Sequence, residues 1–448
     1  MKIIRNRGEN FQDVFPLANV PDEVLDSIYD HLSDFELFHS IGLLSQRFRL
    51  SVKRYLQTSS KIRWKAIAIR VDGVRQGLRE AMRHEMSLMV NVCIALSAFE
   101  MVEDGGRQSV WEALAGNEHL RALRLLFVSG DEVTWIAHNL VHKLEVLELW
   151  YGTLGESGAR ALASQPSGRL QELVVGSCDV EGPVADVLFE SSLCMEEDRQ
   201  NRNLRLIEGL DALTLSLCPL RDDGMLALST LRFPRLRKLV LERCEFGDQG
   251  LSELRVENVP NLAELALIKN RFSTRSATVL SEFCSMAQRL RTLQLSWNRL
   301  GDDGVSFLPS SKLVSLDLRH CSITEKGCRV LAESKTLECI NLCGNRMVEG
   351  YSLASGEGLK SLTELRLDNC KVADKGAFAI ANGQLSRLRY LSLRGSLISE
   401  TGVSALAQGN LPSLRTIVLQ GNLNTVNTEC MLKDNLRSLK RVIVSSTR

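Results

Sequence analysis

The sequence predicts an α/β solenoid, in which parallel strands stack along one side and helices along the other. Two observations lead to this prediction. Leucines recur in the spacing L-x-x-L-x-L along more than two thirds of the chain, with steps of about 23 to 28 residues between most units. Each run is followed by a turn motif and a short apolar stretch with helical spacing. One strand plus one helix fits this period, so each unit forms one coil. The first leucines of the units are Leu120, Leu144, Leu170, Leu210, Leu236, Leu262, Leu290, Leu313, Leu337, Leu362, Leu388, Leu414 and Leu439.

The strand of each unit shows which side faces the core. Leu293 and Leu295 lie two residues apart and point to one side of an extended segment, whereas Gln294 and Ser296 point to the other. We number each unit from its first leucine, which is position 1. Position 9 holds a small residue whose side chain can form hydrogen bonds with backbone groups where the chain turns out of the strand, and these bonds repeat from coil to coil as a ladder. Position 9 is occupied by Cys178, Cys218, Cys244, Asn270, Asn298, Cys321, Asn345, Cys370, Ser396 and Asn422. The cysteines at this position are therefore predicted to be structural.

The turn after the strand has its own signature. Leu300-Gly-Asp-Asp-Gly304 and Ile398-Ser-Glu-Thr-Gly402 are two examples. Asp, Ser or Thr before an apolar-periodic run favours an N-cap that begins a helix. The whole pattern, L-x-x-L-x-L-x-x-C-x-I-T-D-x-G-x-x-x-L-A, resembles the cysteine-containing subclass of leucine-rich repeats. That resemblance implies a horseshoe with parallel strands on its concave face and helices on its convex face.

Residues 17–60 differ from the repeats. Pro21 heads a predicted helix with an apolar stripe formed by Val24, Leu25, Ile28, Tyr29 and Leu32, and a second apolar run, 35–48, includes Leu37. Two or three short helices with this much apolar surface favour a module that docks on another protein.

This stretch resembles the F-box, whose pattern is L-P-x-E-V-L-x-x-I-F-x-x-L, and departs from it at Val20, Glu36 and Leu44. The resemblance implies docking on the adaptor subunit of a cullin-RING ubiquitin ligase. The residues it implies for that contact are Pro21, Val24, Leu25, Ile28, Tyr29, Leu32 and Leu37. The alternative is a plain helical cap on the solenoid.

The chain thus divides into an N-terminal tail (1–16), an F-box-like helical module (17–60), degenerate first coils with a helical connector (61–118) and the solenoid (119–448), which has an insertion around 181–208. Within the degenerate coils, Leu96, Phe99 and Met101 precede Leu120, Leu123 and Leu125 by 24 residues and predict an early strand. Trp64, Ile67 and Ile69 predict a still earlier strand, and 74–93 reads as a long helix.

Composition excludes several function classes. The chain is 44% hydrophobic, 24% charged and has a formal net charge of +1, so bulk charge favours neither a nucleic-acid nor a membrane partner. No apolar run reaches the roughly 18 residues that span a bilayer. Twelve cysteines, mostly placed by the repeat, indicate reduced thiols in the cytoplasm or nucleus. A phosphate-binding loop, a G-x-S-x-G elbow and paired C-x-x-C motifs are missing, so we expect no enzyme activity, no metal and no cofactor.

The outward side of the strands is the predicted substrate-binding surface, because large aromatic residues and arginines anchor interfaces. Its candidates are Trp150, Trp297, Arg319, His320, Arg366, Tyr390 and Arg394. Trp297 is the strongest candidate, since the repeat pattern requires no large side chain at that position. The alternative is that its side chain only covers the neighbouring strands. Arg319, His320, Arg366 and Arg394 predict a patch for an acidic or phosphorylated segment. The alternative is a solvated face balanced by Asp317, Glu364 and Asp368.

The F-box resemblance implies a substrate-recognition subunit of a cullin-RING ubiquitin ligase. Such a subunit acts by holding its substrate near a ubiquitin-charged enzyme. The alternative function is a ligase-independent scaffold or inhibitor of the ribonuclease-inhibitor kind. RNA binding is disfavoured by the near-zero net charge.

Overall fold

The computed structural model describes residues 65–67, 91–95 and 111–444, except 113, 167, 179, 181, 190–205, 308–310, 357 and 424–427. The chain forms two compact units, Met1–Phe127 and Val128–Arg448. The F-box-like segment, with Pro21, Leu25 and the other predicted adaptor contacts, lies outside the described residues.

The first unit contains the strands β1 (Lys65–Ile67), β2 (Asn91–Ala95) and β3 (Ala122–Leu126). β1 pairs with β2, and β2 with β3, both in parallel. The early strand predicted near Trp64 and Ile67 is therefore confirmed.

The register of β2 corrects the second early prediction. β2 aligns Val92 with Leu123 and Ile94 with Leu125, so the strand is 91–95 and does not begin at Leu96. The end of the predicted helix 74–93 is likewise strand. The segment 91–95 also carries apolar residues two apart, and its β-branched residues favour a strand.

The second unit continues the same pattern. Its strands are β4 (Val146–Trp150), β5 (Glu172–Gly176), β6 (Ala212–Ser216), β7 (Lys238–Glu242), β8 (Glu264–Ala266), β9 (Thr292–Gln294), β10 (Ser315–Asp317), β11 (Cys339–Asn341), β12 (Glu364–Arg366), β13 (Tyr390–Ser392), β14 (Thr416–Val418) and β15 (Arg441–Ile443). Each pairs in parallel with the next one along the chain, and the sheet is open. The predicted solenoid of parallel strands is confirmed.

A helical segment follows most of these strands. The α-helices are α1 (Gly130–Asn139), α2 (Gly155–Ala163), α3 (Gly182–Phe189), α4 (Arg221–Ser229), α5 (Asp248–Glu253), α6 (Ser276–Met286), α7 (Glu325–Leu331), α8 (Tyr351–Ser355), α9 (Ala373–Asn382), α10 (Glu400–Gln408) and α11 (Thr428–Asn435). Short 3-10 helices lie at Val141–Lys143, Val256–Asn258, Asp303–Val305 and Gly358–Ser361. Helix α3 lies within the predicted insertion around 181–208, and residues 190–205 of that stretch lie outside the described residues.

The core lies between the strands and the helices. In the central coil, Leu290, Leu293 and Leu295 are buried, whereas Thr292 and Gln294 stay partly exposed. Burying one such leucine contributes about 1.5–3 kcal/mol. The outward strand residues therefore form a separate surface, which we call the strand face.

The position-9 side chains join each coil to its neighbours. Asn298 donates from Nδ2 to the carbonyl of Leu267 in the preceding coil (2.7 Å) and to that of Leu295 (2.8 Å), and its Oδ1 accepts the N–H of Asn270 (3.0 Å). Cys321 donates from Sγ to the same Leu295 carbonyl at 3.2 Å. Burial raises the pKa of Cys321 to about 12, so the thiol keeps the proton that it donates. The predicted structural role of these cysteines is confirmed.

A second ladder joins the helix starts, and it refines the predicted N-caps. Thr324 caps its own helix by accepting the N–H of Lys326, as predicted. Asp302 instead stabilises the helix start of the following coil, because its carboxylate accepts hydrogen bonds from the N–H groups of Thr324 (2.8 Å) and Gly327 (2.9 Å). A Cβ on Gly327 would lie 2.5 Å from Asp302 Oδ1, so the glycine of the turn motif makes room for the carboxylate of the coil before it.

The same arrangement recurs at Asp374. Burial opposes its ionisation, but hydrogen bonds from the hydroxyl and N–H of Ser399 and from the N–H of Gly402 outweigh burial and lower its pKa. This carboxylate is therefore ionised at neutral pH and stabilises the start of α10.

The position-9 ladder gives a stability prediction. Asn298→Ala leaves the Leu267 carbonyl and the Asn270 N–H without that partner. We expect the free energy of unfolding to fall by roughly 2–6 kcal/mol, since each of these two buried groups left unpaired costs about 1–3 kcal/mol. Urea denaturation followed by circular dichroism measures the change. Asn341→Ala, at a partly exposed strand position, is the matched control and should cost less than about 1 kcal/mol. Equal effects of the two substitutions would contradict the ladder.

Candidate interaction surface on the strand face

The residue before each ladder position, position 8, has an unusual backbone conformation. Trp297 (φ 63°) and His320 (φ 52°) are left-handed, and so is the position-8 residue of most other coils. The further members in this unit are Tyr151, Ser177, Leu217, Arg243, Lys269, Gly344, Asn369, Gly395 and Gly421. A left-handed residue other than glycine costs roughly 1–2 kcal/mol. The recurrence shows that the turn imposes this conformation.

The conformation extends the parallel ladder by one hydrogen bond. The N–H of Trp297 donates to the carbonyl of Arg319 in the next coil (2.7 Å), and the N–H of His320 donates to that of Cys343 (3.0 Å). Position-8 side chains therefore follow one another along an edge of the strand face, one per coil.

Three of these side chains stack. The rings of Trp297 and His320 lie 3.8 Å apart with planes inclined by 19°, and Lys269 Nζ lies 5.0 Å from the Trp297 ring centroid. His320 also covers Gly344, where an added Cβ would lie 2.3 Å from its Cε1. We call Lys269, Trp297 and His320 the aromatic stack. Trp297 remains 47% exposed, so a binding partner can reach it.

Positive charge surrounds the stack. Partial burial lowers the pKa of His320, and the charges of Arg319, Arg346 and Lys269 lower it further. The imidazole is therefore mostly neutral at pH 7.

Two of the predicted binding arginines already have acidic partners. Arg319 donates to Asp317 at 2.8 Å, and these hydrogen bonds raise its pKa despite partial burial. Arg366 donates from Nε to Glu364 at 2.5 Å, and its guanidinium lies 4.9 Å from the ring centroid of Tyr390. In both pairs the acid lies two residues before the arginine. Glu364 and Arg366 are both in β12, whose alternation places them on the same face, whereas Asp317 ends β10 and Arg319 lies in the turn after it.

The predicted residues fall into three groups. Arg319 and His320 lie beside Trp297, whereas Arg366, Tyr390 and Arg394 form a second group that begins two strands, or about 10 Å, away. The exposed side chain of Arg394 belongs to this second group, and its N–H donates to Asp368 at 2.8 Å.

Trp150 forms the third group. It is five strands, or about 24 Å, from Trp297. Its Nε1 donates to Glu148 at 3.1 Å, and its ring fills the space above Gly176, where an added Cβ would lie 2.1 Å from the ring. This packing indicates that the Trp150 ring covers the adjacent strand β5.

Sequence reasoning missed Lys269 and Arg346. Lys269 occupies position 8 of its coil, so following that column from Trp297 would have found it. Arg346 lies two residues after Gly344. Because glycine has no side chain at that position, the exposed side chain of Arg346 can approach His320. Within the described residues, no three His, Cys, Asp or Glu side chains cluster as a metal site. No helix of that same part is both long and apolar enough to cross a membrane.

Comparisons with known proteins support the repeats. A family model described as "Leucine Rich repeat" matches residues 288–308, 310–332 and 358–381. The human protein "NACHT, LRR and PYD domains-containing protein 7" is 34% identical over 90 residues, which cover 18% of this chain and 9% of that protein. The chain thus matches less than a tenth of that relative's length. No F-box domain is detected.

Solved structures are similar at low identity. The yeast complex of Rad7 and Elc1 matches with 17% identity and a TM-score of 0.49, over 83% of this chain and 90% of that one. An internalin (inlF) of Listeria monocytogenes matches with 14% identity and a TM-score of 0.45, over 82% and 89%. Together with the strand and helix pattern, the matched family model shows that this chain contains leucine-rich repeats, as the sequence predicted.

The environment of His320 gives a second prediction. Replacing Lys269 and Arg346 by Gln removes two of the charges that oppose protonation, so the pKa of His320 should rise toward about 6.5, the ordinary histidine value. Two-dimensional NMR of the imidazole against pH measures the change, with His320→Asn identifying the signal. Lys326→Gln, on α7, is the control and should leave the pKa unchanged. A His320 pKa at or above the ordinary value in the unmodified chain would contradict the described geometry.

Proposed function

We propose that this protein is a non-catalytic scaffold that binds a protein partner on its strand face. The observation that supports this function best is the aromatic stack, a large exposed indole held on a regular sheet beside several cations. Tryptophan and arginine are the residues that most often dominate binding energy at interfaces. The ladder holds the backbone of both aromatic residues before a partner arrives, which reduces the entropy cost of binding.

The proposal extends to ubiquitin ligation. The F-box-like segment would dock on a cullin-RING ligase adaptor, and the repeats would hold the substrate within reach of a ubiquitin-charged enzyme. This part rests on the sequence of residues 17–60, which matches the F-box pattern at Pro21, Leu25 and Ile28 among others. The scaffold itself forms and breaks no covalent bonds.

The second candidate function is a ligase-independent scaffold or inhibitor. The failure to detect an F-box domain in the chain favours it. In that case residues 17–60 only cap the first coils, and the partner on the strand face is not ubiquitylated.

One purification experiment tests both levels of the proposal. The tagged full chain is recovered from cells, and co-purifying proteins are quantified by mass spectrometry. Trp297→Ala should reduce recovery of the strand-face partner by roughly 30-fold, the effect of an interface residue worth about 2 kcal/mol. Phe378→Ala is the matched control, because Phe378 is an aromatic residue that is 62% exposed on α9.

Leu25→Asp combined with Ile28→Asp should remove cullin and adaptor while the strand-face partner remains. Partner recovery that Trp297→Ala and Phe378→Ala change equally would contradict the strand-face proposal. Cullin recovery that survives the double substitution would contradict the docking assignment of Leu25 and Ile28. Cullin that is absent from the unmodified chain would contradict the ligase role and leave the second candidate.

A further inference from the structure

Two of the cations around the aromatic stack differ from three others on the sheet. On the strand face, Lys238 pairs with Glu264, Arg319 with Asp317 and Arg366 with Glu364. Neither Lys269 nor Arg346 makes an ion pair with any residue that the structure describes. Their positive charges are therefore available to a ligand.

These two cations flank the stack in chain order. Lys269 follows β8, Trp297 follows β9, His320 follows β10 and Arg346 follows β11. At about 4.8 Å per strand, the row is roughly 14 Å long. Four or five residues of extended peptide span that distance. We call Lys269, Trp297, His320 and Arg346 the cationic row.

Acidic residues border the row and limit the length of an anionic ligand. Glu242 lies on β7 and Asp368 lies on the coil that follows Arg346, whereas the nearby Glu264 and Glu364 are paired with Lys238 and Arg366. A long polyanion such as RNA would run past the cations to Glu242 and Asp368, where like charges repel it. A short acidic stretch with neutral ends avoids that repulsion.

From this placement we infer that the cationic row binds a short, extended segment of a protein partner that carries Asp or Glu side chains. Its carboxylates pair with Lys269 and Arg346, and its intervening side chain packs on the exposed edge of Trp297. This inference rests on the proposed function and names the chemistry of the partner segment that the strand face takes.

Binding of this kind is linked to protonation of His320. A carboxylate placed beside the imidazole favours its charged form, so the complex takes up a proton that the free protein does not hold at pH 7. The charged groups that act on His320 are Arg319, Arg346 and Lys269, and Arg319 is itself paired with Asp317. Affinity for an acidic segment therefore rises as pH falls through this range.

The test uses the full chain and two fluorescein-labelled eight-residue peptides, one of alternating Glu and Leu and one of alternating Gln and Leu. Fluorescence anisotropy gives their dissociation constants. The Glu peptide should bind at least tenfold more tightly than the Gln peptide. Its affinity should rise between pH 7.5 and pH 6, and His320→Asn should abolish most of that rise.

Matched charge variants locate the site. Lys269→Glu with Arg346→Glu should weaken the Glu peptide at least tenfold. The milder Lys269→Gln with Arg346→Gln should weaken it severalfold, and this variant keeps the test valid if charge reversal impairs folding. Lys326→Glu with Lys375→Glu changes the net charge equally on the exposed surfaces of α7 and α9 and should have no effect.

Several outcomes would overturn the inference. These are absence of binding by the Glu peptide, equal affinity for the Gln peptide, equal loss in the helix-surface variant, or tighter binding of an eight-nucleotide single-stranded RNA. A partner lost with Trp297→Ala but retained by the Lys269 and Arg346 charge reversal would refute acidic recognition alone. It would leave the strand-face scaffold intact.

Discussion

The hydrogen bonds made by one small polar side chain per coil underlie the rest of this structure. Asn298, Cys321 and their counterparts satisfy backbone groups of their own turn and of the coil before it. A solenoid coil contacts only its neighbours, so every strand depends on such lateral bonds for its register. Asn and Cys can both occupy this position because both can donate to the same buried carbonyl, as Asn298 and Cys321 do to that of Leu295. The buried thiols stay protonated, as the raised pKa of Cys321 and Cys370 shows.

The geometry of the strand face follows from the same turn. To place position 9 inside, the chain turns sharply at position 8, which adopts a left-handed conformation and bonds to the next coil. That bond aligns position-8 side chains in adjacent coils, and so Trp297 can stack on His320. The aspartates at the helix starts have the matching role on the opposite side, where Asp302 and Asp374 reach across to the following coil. Structural bonds between coils therefore account for the recurrent polar residues, and the variable residues beside them form the strand face.

Periodicity explains which features the sequence could predict. The leucine spacing correctly gave the strands from Leu120 onward, the buried position 9 and the outward position of Trp297. It failed at β2, where two apolar spacings compete and the register aligns Val92 with Leu123. The role of Asp302 was also missed in part, because its partners lie 22 and 25 residues further along the chain. The N-cap pattern predicts only hydrogen bonds between Asp302 and the helix that it precedes.

Charge balance on the strand face was predicted only as the alternative to a binding patch, and the ion pairs of Arg319 and Arg366 support that alternative for these two residues. Arg319 and Arg366 looked like binding residues, but acidic neighbours two residues earlier neutralise them. Lys269 and Arg346 looked ordinary, yet they are the cations that flank Trp297 and His320. Their importance depends on which side chains from adjacent coils come together, and the left-handed turn decides this.

The central claim is that Trp297 and His320 are held in place by the ladder before any partner binds. Amide hydrogen exchange of the free protein tests it most directly, because each of these N–H groups donates to the carbonyl of the next coil. The account predicts that both amides exchange as slowly as those of Leu293 and Leu316 inside the strands. Exchange at the rate of an unprotected loop would contradict it.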